Sequence, residues 1–149
     1  MQAEIITIGD EILIGQVADT NSSWIAGQLN LNGVKVRLIT SIADDREQIL
    51  ERLSESEKHA DLIILTGGLG PTRDDITKST LCDFFGSKLV MNEQVMHDIE
   101  EFSKKKGVQL NELNRSQAYV PENCTVLPNK NGTAPGMWFI YNTVQFSGT

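Results

Sequence analysis

Apolar positions along this chain fall into two spacings, short β-rich runs and longer stretches of helical period. Glu4 to Ile8 is a short β-rich run closed by Gly9-Asp10-Glu11. Asp19-Thr20-Asn21 then supplies N-cap candidates, whose side-chain oxygens accept from the free N–H groups of a first helical turn. Trp24, Ile25 and Leu29 follow at helical spacing, with Trp24 reading as core, and Asn32-Gly33 ends that helix. Val34 to Thr40 predicts a second strand. After Asp44-Asp45 comes a helix with Ile49, Leu50 and Leu53 on one face. Asp61 to Thr66 is almost continuously apolar, as a strand covered on both faces should be.

Gly67-Gly68-Leu69-Gly70-Pro71 breaks that strand, and a helix is predicted from about Asp75 to Phe85. Lys88 to Met91 reads as a short strand. Val95, Met96, Ile99 and Phe102 mark an amphipathic helix ending at Lys104-Lys105-Lys106-Gly107, where basic residues suit the negative helix end. Asn111 to Ala118 reads as one more short helix. Thr125 to Leu127 and Met137 to Tyr141 are late strands on either side of a Gly/Pro loop. Strand alternating with helix implies an α/β fold: a mostly parallel sheet, right-handed crossovers and helices on both faces. Such sheets take ligands at the carboxyl ends of their strands. That rule singles out three loops: Gly9 to Thr20, Gly67 to Asp75, and Asn129 to Gly136.

Composition narrows the class. The 149 residues fit one domain, 1–149, and 13 basic against 20 acidic residues leave a formal charge of −7. That balance argues against nucleic acid and anionic membrane surfaces, both of which need clustered Lys and Arg. No apolar run approaches the ~20 residues that span a bilayer. The start, Met1-Gln2-Ala3-Glu4, lacks the charged-then-apolar order of a signal peptide. Cys82 and Cys124 lie far apart with no C-x-x-C, so no disulfide framework is expected. The expectation is a soluble cytoplasmic protein. Its last residues, Phe146 to Thr149, follow straight after a strand, and the domain reads as truncated at its carboxyl end.

Candidate chemistry concentrates in the loops. Gly67, Gly68 and Gly70 follow a buried strand and precede a helix, so backbone N–H groups can meet an anion closely. No Gly-Lys-Ser/Thr follows, and the G-x-G-x-x-G spacing is absent, so this is neither a P-loop nor the dinucleotide fingerprint. Asp74 and Asp75 would repel a bare anion. One of them caps the next helix, or a carboxylate holds a divalent cation that bridges to phosphate oxygens; the two roles can be divided between them. Asp10 and Glu11 stand just past the first strand, as turn residues or as further site carboxylates. Asp44, after the second strand, is another candidate or a helix cap. Asn131-Gly132-Thr133-Ala134-Pro135-Gly136 would admit a ligand close to backbone, or be a plain turn. His59 and His97 stand alone and read as surface residues, Cys82 as core, and Ser22 and Ser23 lack the elbow and paired His of a hydrolase triad.

Taken in order, Gly9-Asp10-Glu11-Ile12-Leu13-Ile14-Gly15, Asp19-Thr20-Asn21, Thr66-Gly67-Gly68-Leu69-Gly70-Pro71-Thr72-Arg73-Asp74-Asp75 and Asn131-Gly132-Thr133-Ala134-Pro135-Gly136 resemble the amino-terminal domain of the CinA family. More broadly the pattern is similar to the molybdopterin-binding fold of the MogA, MoaB and MoeA proteins. The resemblance covers nearly the whole chain and implies a three-layer α/β/α sandwich of MogA-like fold, assembled as a homo-oligomer. In the molybdopterin proteins the glycine loop and two aspartates serve adenylylation of the pterin or its metal loading, and by motif position these would be Asp75 and Asp44. In CinA proteins the corresponding domain is associated with metal-dependent cleavage of the pyrophosphate of ADP-ribose. Their amidase activity belongs to a separate carboxyl-terminal domain and is not expected here.

The expectation is a nucleotide pyrophosphatase using a divalent metal ion (Mg, Co or Ni) on ADP-ribose-like substrates. Its catalytic groups would be Asp75, Asp10 and Asp44, with Asp75, Asp10 and Glu11 as metal ligands. Gly67, Gly68, Gly70, Thr72, Asn21, Gly132, Thr133 and Gly136 would bind substrate, and Arg73 would pair with a phosphate oxygen. No Nudix-type glutamate-rich helix is present, so the chemistry must come from these loops. The alternatives are a molybdopterin-binding or adenylylating protein using the same pocket, and a non-catalytic nucleotide sensor.

Overall fold

In the computed structural model, which describes residues 1–69, 76–141 and 144–148, the chain opens with Gln2–Ile8 (β1). A single turn, Asp10–Leu13 (α1), leads to Thr20–Leu31 (α2), Lys35–Ile42 (β2), Arg46–Ser56 (α3) and Leu62–Gly67 (β3). Ile76–Phe85 (α4), Leu89–Met91 (β4), Glu93–Lys106 (α5), Glu112–Ser116 (α6) and Tyr119–Pro121 (β5) follow. Thr125–Leu127 (β6), Gly136–Tyr141 (β7) and Val144–Gly148 (β8) complete the order.

The main sheet runs β2-β1-β3-β8-β7-β6. β2, β1, β3 and β8 pair in parallel; β7 is antiparallel to both β8 and β6. β4 and β5 form a separate antiparallel pair. The fold is thus α/β with a mostly parallel sheet. β1 is buried from Ala3 to Ile8, both faces covered, as a central parallel strand must be. On one face Ile6, Ile8, Ile63, Leu65, Met137 and Phe139 meet Ile49 and Leu53 of α3 and Leu81 of α4. Phe85 stacks on Phe139 at 4.2 Å between centroids, anchoring α4 to β7. Cys82 is buried on α4 and Cys124 packs against this layer, and burial raises the pKa of both free thiols, Cys124 to about 11. In both, burial disfavours the thiolate that a nucleophile would need.

Four helix starts follow one rule. Asp19, Asp45, Asn92 and Asn111 each accept the N–H three residues on, from Ser22, Gln48, Val95 and Asn114 at 2.8–3.0 Å. Asp45, not Asp44, is therefore the cap of α3. Gly107, at φ 67°, closes α5 after its three lysines. Three elements lie outside the sequence expectation. α1 is too short to show a period, β5 follows directly on the α6 segment, and β8 sits between β3 and β7, whereas the sequence pattern predicts its last strand at Met137 to Tyr141.

One charge is fully buried in the sheet. Glu4 of β1 is wholly shielded, with Arg37 of β2 hydrogen-bonded to its Oε1 and Arg52 of α3 3.8 Å from Oε2. The register explains the contact. Ala3 pairs with Val36 but Glu4 with Leu38, so Arg37 is the extra residue of a bulge, which re-aims its side chain.

Candidate functional site

A cleft of about 880 Å³ opens where β1 and β3 end. One wall comes from the β1–α2 segment: Glu11 of α1, then Asn21, Trp24 and Ile25 of α2. β3 and its exit form the floor, with Ile64, Thr66, Gly67, Gly68 and Leu69. The opposite wall is Gln117, just after α6, with Asn129, Gly132, Thr133 and Ala134 from the β6–β7 loop. The three loops singled out in the sequence all reach this end of the sheet, as the strand-end rule requires. Of the residues singled out in the sequence, Glu11, Asn21, Gly67, Gly68, Gly132 and Thr133 line this cleft.

The glycines of the floor are fixed by geometry. Gly67 has φ +87°, and a Cβ there would run into the Ile8 carbonyl oxygen. At Gly68, φ +68°, a Cβ would strike Thr77 Oγ1 at the start of α4. Both residues need the left-handed region, and both let the chain turn tightly against β1. On the opposite wall Asn129 shapes its own loop. Its Nδ2 donates to the Ala134 carbonyl and its Oδ1 accepts from Asn131 N–H, both at 2.9 Å.

Other candidates fall elsewhere. Asp10 is exposed and absent from the cleft wall; its Oδ1 accepts the Asp44 N–H at 3.2 Å, tying α1 to the β2–α3 turn. Asp44 is half-buried at that turn, also off the wall. Gly136 is buried at the start of β7, paired with Leu127, two residues beyond the cleft-lining Ala134. Gly70, Thr72, Arg73, Asp74 and Asp75 lie outside the described residues. His59 and His97 are exposed as expected, His59 3.2 Å from Glu55.

Trp24 corrects the sequence reading. It is 66% exposed and part of the cleft wall, not core. Ser22, Ile25, Ala26 and Leu29, at i, i+3, i+4 and i+7, make the buried or half-buried stripe of α2, and Trp24 lies off it. The excess of apolar residues on α2 was the one signal for it. For Gln117 there was none: it is 4% exposed, and nothing in its local sequence marks it.

Asp19 braces this wall. Its Oδ2 accepts from Thr7 Oγ1 of β1 at 2.7 Å while Oδ1 caps α2. Burial pulls the carboxyl pKa up, but the hydrogen bonds from Ser22 and Thr7 outweigh it and hold it below the ordinary 3.8. A lowered folded-state pKa gives stability that is present above pH 3.8 and lost as pH falls through the folded value. Urea titrations from pH 6 down to about 3 should therefore show an acid-dependent loss that Asp19→Asn flattens. An equally steep loss in the variant would place the acid sensitivity elsewhere.

For a divalent cation, the described donors are sparse. No group of three or more His, Cys, Asp or Glu is gathered among the described residues, and Glu11 is the described carboxylate on the cleft wall. A lone carboxylate could give one ligand to a Mg²⁺ whose other ligands are phosphate oxygens and water. Among the described residues no helix is long and apolar enough to cross a membrane.

Comparison with known proteins gives consistent matches. The family described as "Probable molybdopterin binding domain" matches residues 4–144. A CinA-like protein of Cytophaga hutchinsonii is 51% identical over 144 residues, covering 97% of this chain and 34% of that protein. The chain spans about a third of the length of the curated relatives it matches. The crystal structure of the protein CinA from Thermoplasma acidophilum superposes with a TM-score of 0.86 at 31% identity, covering 99% of this chain and 86% of that one. The tungsten cofactor synthesizing protein MoaB of Pyrococcus furiosus shares the fold, with a TM-score of 0.60 at 18% identity over 99% of this chain and 79% of its own.

Proposed function

The chain belongs to the family of probable molybdopterin-binding domains, in its CinA-like branch, and on that footing we propose that its cleft binds ADP-ribose-like nucleotides and hydrolyses their diphosphate. The observation that carries this reading is the convergence of three separate segments on one cleft of about 880 Å³, large enough for a dinucleotide-sized ligand. Gly67 and Gly68, both at positive φ and turned tightly against β1, hold the end of β3 as a backbone floor for the phosphates. The side chains of Asn21 and Thr133 supply hydrogen-bond donors from opposite walls.

In the hydrolysis, water attacks one phosphorus and the bridging oxygen leaves with the other phosphate. The products are AMP and ribose 5-phosphate. Glu11, on the wall, orients the water and receives its proton. The Asp10–Asp44 hydrogen bond holds α1, and through it Glu11, against the β2–α3 turn. Glu11, with Asp75 from the glycine segment, would hold a divalent cation (Mg, Co or Ni) beside the substrate oxygens. When bound, such a cation neutralises charge on the diphosphate.

A pterin in the same cleft is the second reading, favoured by the molybdopterin-binding description of the family. The two separate in one assay: ADP-ribose with Mg²⁺ or Co²⁺, with AMP and ribose 5-phosphate followed by phosphorus NMR. Turnover is expected, and Glu11→Gln should lower it about a hundredfold, the scale of lost general-base catalysis. Equal rates for the wild type and Glu11→Gln would remove Glu11 from the mechanism. No AMP from the wild type, together with tight pterin binding, would favour the second reading.

A further inference from the structure

Among the cleft residues that mechanism leaves unused, two have the chemistry of a base-recognition site. Trp24 presents its indole from α2 with 66% of its surface exposed, beside Ile25 and across from the β6–β7 loop. Gln117 is the reverse case: only 4% exposed, it reaches the cleft wall from the turn after α6. Its position is set by buried contacts. Lys78 of α4 donates from Nζ to the carbonyl oxygens of Gln117 at 3.3 Å and Tyr119 at 2.9 Å. The Gln117 carboxamide Nε2 makes one long contact, 3.4 Å, to the Leu69 carbonyl. Its Oε1 is buried with no hydrogen-bond partner among the described residues.

A buried acceptor without a donor is unusual and calls for an explanation. The terminal torsion of glutamine is broad and the Leu69 contact is long, so little holds the carboxamide in its present orientation. We infer that Trp24 and Gln117 form the seat of the ligand's heterocycle: a planar, amino-bearing nitrogen heterocycle stacks on the Trp24 indole and donates an N–H to Gln117 Oε1. Adenine and pterin share that chemistry. The inference rests on the reading that this cleft binds a nucleotide or pterin, and it names which residues read the ring.

The test measures calorimetric binding of four probes to the wild type: AMP, ribose 5-phosphate, purine riboside 5′-phosphate (AMP without its amino group) and a pterin monophosphate. AMP is expected to bind about tenfold tighter than purine riboside 5′-phosphate, which keeps the stacking, and about a hundredfold tighter than ribose 5-phosphate, which loses both, since stacking and one hydrogen bond to a buried acceptor each contribute about tenfold. Trp24→Ala should weaken AMP about tenfold and leave ribose 5-phosphate within twofold. Gln117→Leu should bind AMP and purine riboside 5′-phosphate alike. Tighter binding of the pterin than of AMP would assign the same seat to a pterin.

The inference is overturned if either substitution weakens ribose 5-phosphate as much as AMP, or if the wild type does not distinguish AMP from its deaminated analogue. Should Gln117→Leu fail to fold, the exposed Trp24→Ala and the wild-type comparison of the two purines still decide. If ADP-ribose is not hydrolysed while this binding pattern holds, the hydrolase reading falls and the seat stands. If the wild type binds neither AMP nor the pterin, both fall.

Discussion

Gly67→Ala is expected to cost about 3 kcal/mol of folding stability, through one added methyl group. Two effects combine. At φ +87° an alanine is held in the left-handed region, worth roughly 1–2 kcal/mol. Its Cβ would also be driven into the Ile8 carbonyl oxygen, which belongs to backbone and not to a flexible side chain. Ile8 cannot retreat cheaply. It pairs with Gly67 on one side and with Ile42 on the other, and the adjacent Gly9 N–H is bonded to the Ile42 carbonyl at 3.1 Å. Relief therefore means displacing β1 within the sheet, for a total near the upper range of backbone strain, ~3 kcal/mol. Gly15 is the control. It has φ +76° but nothing within 4 Å of the place a methyl group would take, so Gly15→Ala should lose only the conformational part, about 1 kcal/mol. Urea unfolding of both variants at neutral pH separates the two contributions. Equal losses would mean that the close approach to Ile8 is absorbed by the loop. Because the same turn forms the cleft floor, ADP-ribose binding should fall with stability for Gly67→Ala and not for Gly15→Ala.

That floor was legible in the sequence for the reason that makes it fragile. A buried apolar strand stopped by paired glycines allows few backbone solutions, and the Asp and Asn caps fixed where the flanking helices begin. Glu11, Asn21, Gly132 and Thr133 could be placed at the cleft because parallel strands send their following loops to one end. What stayed hidden depends on packing between distant segments. Gln117 is set by Lys78, 39 residues earlier in the chain, through a contact that no local pattern announces. Trp24 was misread because helical spacing identifies apolar residues but not which stripe the sheet selects; the sheet took Ser22, Ile25, Ala26 and Leu29. Asp10 and Glu11 are neighbours of identical charge, and only the turn geometry of α1 sends Glu11 to the wall and Asp10 to the Asp44 N–H. Glu4, a charge in the middle of a β-rich run, gave no hint of burial, since its shielding requires the bulge at Arg37 one strand away.

That bulge leads to the second large effect. Arg37→Met should destabilise the fold by about 3 kcal/mol, the low end of the cost of orphaning a buried charge. The low end applies because Arg52 remains 3.8 Å from Glu4 Oε2 and the Arg37 side chain is itself 40% exposed. Arg52 cannot replace it fully, being also hydrogen-bonded through Nε to Ser56 Oγ at 3.1 Å. The loss should arise chiefly from the stranded Glu4 carboxylate and not from the missing attraction. Removing both groups tests this. In Glu4→Leu with Arg37→Met no charge is left in the sheet at that point, and a leucine of similar volume fills a fully buried position, so most of the lost stability should return. The double variant is expected to be more stable than Arg37→Met alone, with a coupling energy of about 2 kcal/mol in a urea double-mutant cycle. A double variant as unstable as the sum of the two single ones would show that Glu4 and Arg37 act independently, and that the bulge, not the ion pair, holds β1 against β2.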